Sequence, residues 1–132
     1  MADLQLLDSV ALANEGEKLV LLHPATEEEL DITITLMGSD SDEYRNTIKK
    51  RFEQAQRQQA KSKKNNEIDL DEAEDKSRDL LAKMTLSWEN VEEAGKKVAC
   101  TFESAKALYK KYPWIREQVE KFISDRTNFI KG

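Results

Sequence analysis

Leu30, Ile32, Ile34 and Leu36 are apolar, and Asp31, Thr33 and Thr35 between them are polar. Period two with β-branched residues is the pattern of a strand with one buried face. Upstream, Leu19-Val20-Leu21-Leu22 is an apolar run of strand length. The linker His23-Pro24-Ala25-Thr26-Glu27-Glu28-Glu29 carries a proline, which suits a turn. Residues 18–38 therefore read as an N-terminal β-hairpin closed by Gly38.

The period then becomes helical. Tyr44, Ile48, Phe52 and Ala55 form a narrow apolar stripe, which predicts a long helix over 41–64. Ser39, Asp40, Ser41 and Asp42 offer cap oxygens at its start. Beyond Ala55 the stripe gives way to glutamine and basic residues, so 56–67 reads as a flexible helix end and a turn at Asn65-Asn66. A second helix starts at Asp69, with Glu72 in capping-box relation. Leu70, Ala73, Ser77, Leu80, Leu81 and Met84 share one of its faces. The first helix is basic late and the second acidic early, which suits a helical hairpin.

Residues 85–102 return to strand chemistry and predict a short second β-hairpin: Thr85–Val91, a turn over 92–97, then Val98–Phe102. Trp88 is its large anchor. A short helix over 103–112, capped by Thr101 or Ser104, turns Ala105, Leu108 and Tyr109 inward. Pro113 opens a last helix over 113–130, at a position where a missing N–H costs nothing. Its apolar residues are Trp114, Ile115, Val119, Phe122, Ile123 and Ile130. Residues 1–17, acidic with Leu4, Leu7 and Leu12 interspersed, read as a short helix or a mobile arm. The expected class is α+β in one domain, 1–132, with Ile32, Ile34, Trp88, Phe102, Trp114, Val119 and Phe122 in the core.

Composition narrows the function. A chain of 132 residues with 39% hydrophobic and 36% charged residues fits one domain with a modest core. Its longest apolar runs are four residues, against about 20 needed to cross a bilayer, so no membrane role is expected. The start has no basic-then-apolar pattern, which favours a cytosolic protein. The single Cys100 excludes an internal disulfide and a cysteine metal cage, and the single His23 excludes a histidine pair.

Charge is segregated. Residues 1–44 carry net −10, 45–64 net +7, 65–79 net −5 and 103–132 net +3. Such blocks favour docking between segments or between copies.

Candidate chemistry is sparse. His23 sits in a turn, and Cys100 reads as a small buried residue with only that histidine to serve as base. The acids from Glu67 to Asp75 fail as a calcium loop. A loop starting at Asp69 would place Glu74 where glycine is needed and Leu80 where the bidentate glutamate belongs. The four glycines form no phosphate loop. The basic run lacks aromatic interleaving after Phe52, which argues against nucleic acid. The expectation is a non-enzymatic binding protein without cofactor or metal.

Several segments are distinctive: Trp88-Glu89-Asn90-Val91, Ala105-Lys106-Ala107-Leu108-Tyr109, Tyr112-Pro113-Trp114-Ile115-Arg116-Glu117-Gln118-Val119 and Asp125-Arg126-Thr127-Asn128-Phe129. With His23-Pro24-Ala25-Thr26 and Ser41-Asp42-Glu43-Tyr44-Arg45, they resemble the tail assembly chaperones of long-tailed bacteriophages and prophages. That resemblance implies a protein of the host cytoplasm that is absent from the mature virion. It would bind the tape measure protein, keep that helical rod soluble, help recruit tail tube protein and self-associate. Leu70, Leu81 and Phe129, read as apolar positions near helix edges, are the candidate partner contacts. A structural tail or connector component is the competing class, and a nucleic-acid-binding regulator a third.

Overall fold

The computed structural model describes residues 3–61 and 70–130. The expected turn at Asn65-Asn66, the cap at Asp69 and the end of the 41–64 helix beyond Lys61 lie outside them.

Asp3 caps a 3-10 turn, Leu4–Leu7, and Asp8 caps α1, Ser9–Glu15. Most of 4–15 is thus helical, the short-helix form of the two readings, and Glu17 already belongs to the first strand. Ala13 is buried, and the Asn14 amide makes two hydrogen bonds to Asp42, at 2.8 and 3.0 Å.

β1, Glu17–Leu22, and β2, Glu29–Leu36, form the expected antiparallel hairpin. The helical hairpin follows: α2, Asp42–Lys61, and α3, Leu70–Met84. β3, Thr85–Glu89, then returns antiparallel to β2, giving a three-stranded sheet of order β1-β2-β3. Leu19, Ile34 and Trp88 stand in register across it.

The second hairpin is tighter than expected. β4, Glu92–Glu93, pairs with β5, Lys96–Lys97, around Ala94 and Gly95, both at positive φ. The 85–89 strand went to the first sheet instead, because β2 offers Trp88 a buried neighbour that a two-stranded ribbon cannot. Residues 98–101 form no strand. The Trp88 indole donates to the Val98 carbonyl at 2.8 Å.

α4, Phe102–Lys111, starts from a full capping box of Thr101 and Ser104. α5, Pro113–Ser124, stops short of the expected 130, because the Asp125 side chain caps a 3-10 turn, Arg126–Asn128.

The core lies where the sheet meets α3, α4 and α5. Leu21, Ile34, Leu36, Leu80, Leu81, Met84, Leu108, Tyr109, Ile115, Val119 and Ile123 are buried in one cluster. Ile34 and Val119 are thus core as expected, while Ile32, Trp88, Trp114 and Phe122 pack half-buried against it. Phe102 is a correction: as the first residue of α4 it points outward and is exposed.

Residues 37–39 tie three elements together. The backbone N–H groups of Met37, Gly38 and Ser39 donate to the carbonyls of Met84, Ala13 and Ile123. Gly38 is required there. A Cβ would meet the Phe129 ring at 2.9 Å and Ala13 at 3.1 Å.

Beside this junction Arg126 makes a bidentate pair with Asp40, with Nε and Nη2 at 2.5 and 3.1 Å. Arg126 holds the buried Asp40 carboxyl below the ordinary aspartate value of 3.8. A depressed folded value stabilises above the unfolded one, and the contribution is lost as pH falls through the folded value. Acid unfolding should therefore contain a component, below pH 3.8, that Asp40→Asn removes. Identical acid limbs for both proteins would contradict it.

Candidate interaction surface

The polar side of α2 is the side that packs. Successive helix residues turn by about 100°, so Thr47 and Arg51 share a face that the Ile48-Phe52 stripe does not. Thr47 is buried, with its hydroxyl donating to the Glu43 carbonyl at 2.9 Å. Arg51 donates to the Lys76 carbonyl and pairs with Asp79 at 3.6 Å. Asp79 also faces Lys83 at 3.5 Å and Lys106 of α4 at 3.9 Å, and Lys106 reaches Asp75 at 3.2 Å. Charge thus joins α2, α3 and α4 through Arg51, Asp79 and Lys106. The basic late end of the first helix, which the sequence set against the acidic start of the second, lies largely outside the described residues.

The stripe is left outside. Tyr44 is half-buried, Ile48 is exposed and Phe52 is 64% exposed. With Ser39, Arg45 and Lys49 they line a shallow open groove. A second apolar patch lies on the N-terminal segment, where Leu4, Leu6, Leu7 and Val10 are exposed, Leu4 at 79%. Leu70 and Phe102 are further large apolar side chains in contact with solvent.

The three sequence candidates separate. Leu70 is 72% exposed at the start of α3. Leu81 and Phe129 are corrected, being 3% and 4% exposed. Leu81 belongs to the core cluster, and Phe129 packs edge-on against Phe122 with 5.5 Å between ring centroids. Leu81 cannot touch a partner unless the fold opens, and Phe129 shows only at the floor of a small cleft beside Leu6 and Leu12. Ile48 and Phe52 were legible as a stripe, but the spacing did not say which way that stripe faces. Their basic flanks, Arg45, Lys49 and Lys50, were the available signal that this face stays in solvent.

The distinctive sequence segments do structural work. The Gln118 side-chain amide pairs with both backbone groups of Leu22, at 2.8 and 2.9 Å, completing the free edge of β1. Tyr112 donates to Glu93 at 2.9 Å and Lys111 pairs with the same carboxylate at 3.1 Å, anchoring the small ribbon. Arg126 holds Asp40, and the Asn128 amide donates to the Phe122 carbonyl.

Other chemical groups are placed apart from these patches. His23 is exposed, and its Nδ1 accepts from the N–H groups of Ala25 and Thr26. Cys100 is half-buried outside any strand, and burial pushes its thiol up. Among the described residues no cluster of three or more His, Cys, Asp or Glu could hold a metal ion, and no helix is long and apolar enough to cross a membrane.

Residues 39–132 match the family model of the YdaY prophage protein. No curated protein and no solved structure matches the chain.

Proposed function

We propose, for a chain that belongs to the YdaY prophage protein family, the role of a non-catalytic tail assembly chaperone. It binds the tape measure protein in the host cytoplasm, keeps that rod soluble and helps bring tail tube subunits to it. It then leaves, and is not part of the virion. The observation that carries this reading is the set of large apolar side chains left uncovered on helical elements of a highly charged protein: Leu4, Leu7, Ile48, Phe52 and Leu70.

A long amphipathic rod exposes apolar stripes that aggregate. A small protein with uncovered helical apolar faces can cover such stripes as one helix lies in another's groove. Its charged remainder keeps the complex in solution. Several copies on one rod gain avidity where they also touch one another.

Co-expression with the tape measure protein of the same phage is the test. The expected result is a soluble complex that co-purifies, with the rod insoluble when expressed alone. A rod equally insoluble in both cases would refute the chaperone reading. Recovery of the chain at many copies per purified virion would favour a structural tail component instead.

A further inference from the structure

We infer that the N-terminal segment of one copy docks on the exposed α2 stripe of a second copy. This rests on the two surfaces themselves, which share Leu4, Leu7, Ile48 and Phe52 with the tape measure reading.

The donor surface is apolar and acidic. Leu4 and Leu7 lie three apart in a 3-10 turn, where such side chains eclipse, and Val10 follows three residues on. Leu6 is exposed on another side of the turn, beside Leu12 and Phe129. Asp3, Asp8 and Glu15 flank the group, and no basic residue precedes Lys18.

The acceptor surface is apolar and basic. Tyr44, Ile48 and Phe52 run along α2 at intervals of one helical turn, and Arg45 and Lys49 line the same groove. Lys50 is exposed nearby. Residues 45–64, which include Arg45, Ile48, Lys49 and Phe52 of this surface, carry net +7 against the −10 of residues 1–44.

Within one copy the two surfaces do not cover each other. Asn14 fastens the end of α1 to the first residue of α2, and both Leu4 and Phe52 stay open to solvent. The match is therefore made in trans. An acidic, leucine-bearing segment laid along a basic, aromatic stripe uses apolar burial for affinity and charge for encounter and register. Donor and acceptor are different patches, so the contact is heterologous. Each pair keeps one free donor and one free acceptor and can grow.

The test uses sedimentation equilibrium of the full chain and two variants. Phe52→Glu removes the acceptor, and the double change Leu4→Lys, Leu7→Lys removes the donor. The wild type should exceed the monomer mass increasingly with concentration, and less so at about 1 M salt, where the Debye length is about 3 Å. Each variant alone should stay monomeric. An equimolar mixture should form a one-to-one pair and stop, since only one intact donor and one intact acceptor remain.

A monomeric wild type at every concentration, a donor variant that still self-associates, or a mixture that forms no pair would overturn the proposal. Carbodiimide cross-linking of isotopically labelled and unlabelled wild type decides the matter independently of variant folding. Links from Asp3 or Asp8 to Lys49 or Lys50 between copies are expected, and links confined within one copy would refute it. Self-association and rod solubilisation are read separately on each variant, so that failure of this contact and failure of the tape measure reading are distinguishable. A wild-type monomer whose rod binding is lost in Phe52→Glu would instead assign the groove to the rod.

Discussion

Replacing Tyr109 with alanine should destabilise the protein by about 3–5 kcal/mol, a large share of the 5–15 kcal/mol that a domain of this size holds. Tyr109 is 1% exposed and is the largest of the fully buried side chains. It projects from α4 into the cluster formed with α3 and the sheet. Truncation removes the ring and leaves a cavity that backbone elements on three sides cannot close.

Its phenol lies 2.6 Å from the Thr85 hydroxyl, and burial pushes the phenol's proton affinity up, so it stays neutral. Tyr109→Phe isolates that hydrogen bond. Thr85 also donates to the Leu81 carbonyl at 2.9 Å and keeps a partner, so the loss should be about 1 kcal/mol. Urea unfolding of the two variants checks both figures. A loss below 1 kcal/mol for Tyr109→Ala would show that the ring is not core.

Leu81→Ala should cost about 2–5 kcal/mol, while Leu70→Ala should change stability by less than about 0.5 kcal/mol. Both residues lie on α3 and look alike in sequence, but one is sealed in the core and the other stands in solvent. Any loss of partner binding in Leu81→Ala should follow its unfolded fraction and recover on cooling towards maximum stability. Loss of binding in a fully folded Leu81→Ala protein would contradict the buried assignment.

These contrasts show which parts of the fold the sequence could reveal. Strict alternation from Leu30 to Leu36 was enough for β2, because a period-two pattern has one reading. Pro113 and the Thr101-Ser104 pair fixed the start of both C-terminal helices, because caps are local chemistry. The partner of β3 was not legible, since pairing across the helical hairpin depends on tertiary contacts and not on neighbouring residues. The end of α5 was missed because Phe129 and Ile130 continue the apolar spacing while Asp125 stops the helix.

The orientation of α2 was not legible for a related reason. Its apolar stripe is the stronger local signal, yet the ion pairs of Arg51 and the burial of Thr47 set which side packs. The exposed apolar surface was thus visible as a pattern and hidden as a site. Leu81 and Phe129 failed as candidates because apolar spacing marks a face without saying whether another element covers it.

The order of the sheet also bears on how the molecule comes to be folded. β1 meets β2 across a short turn, so this hairpin can form early from local contacts. β3 reaches β2 only when Thr85 is brought to Leu36, which closes the whole helical excursion between them. The entropy of that closure grows only with the logarithm of its length, about 0.6 kcal/mol for each doubling. Residues added or lost at the ends of α2 and α3 remote from the sheet would therefore leave the strand register and its stability nearly untouched. A longer or shorter helical excursion would rest on the same three-stranded base.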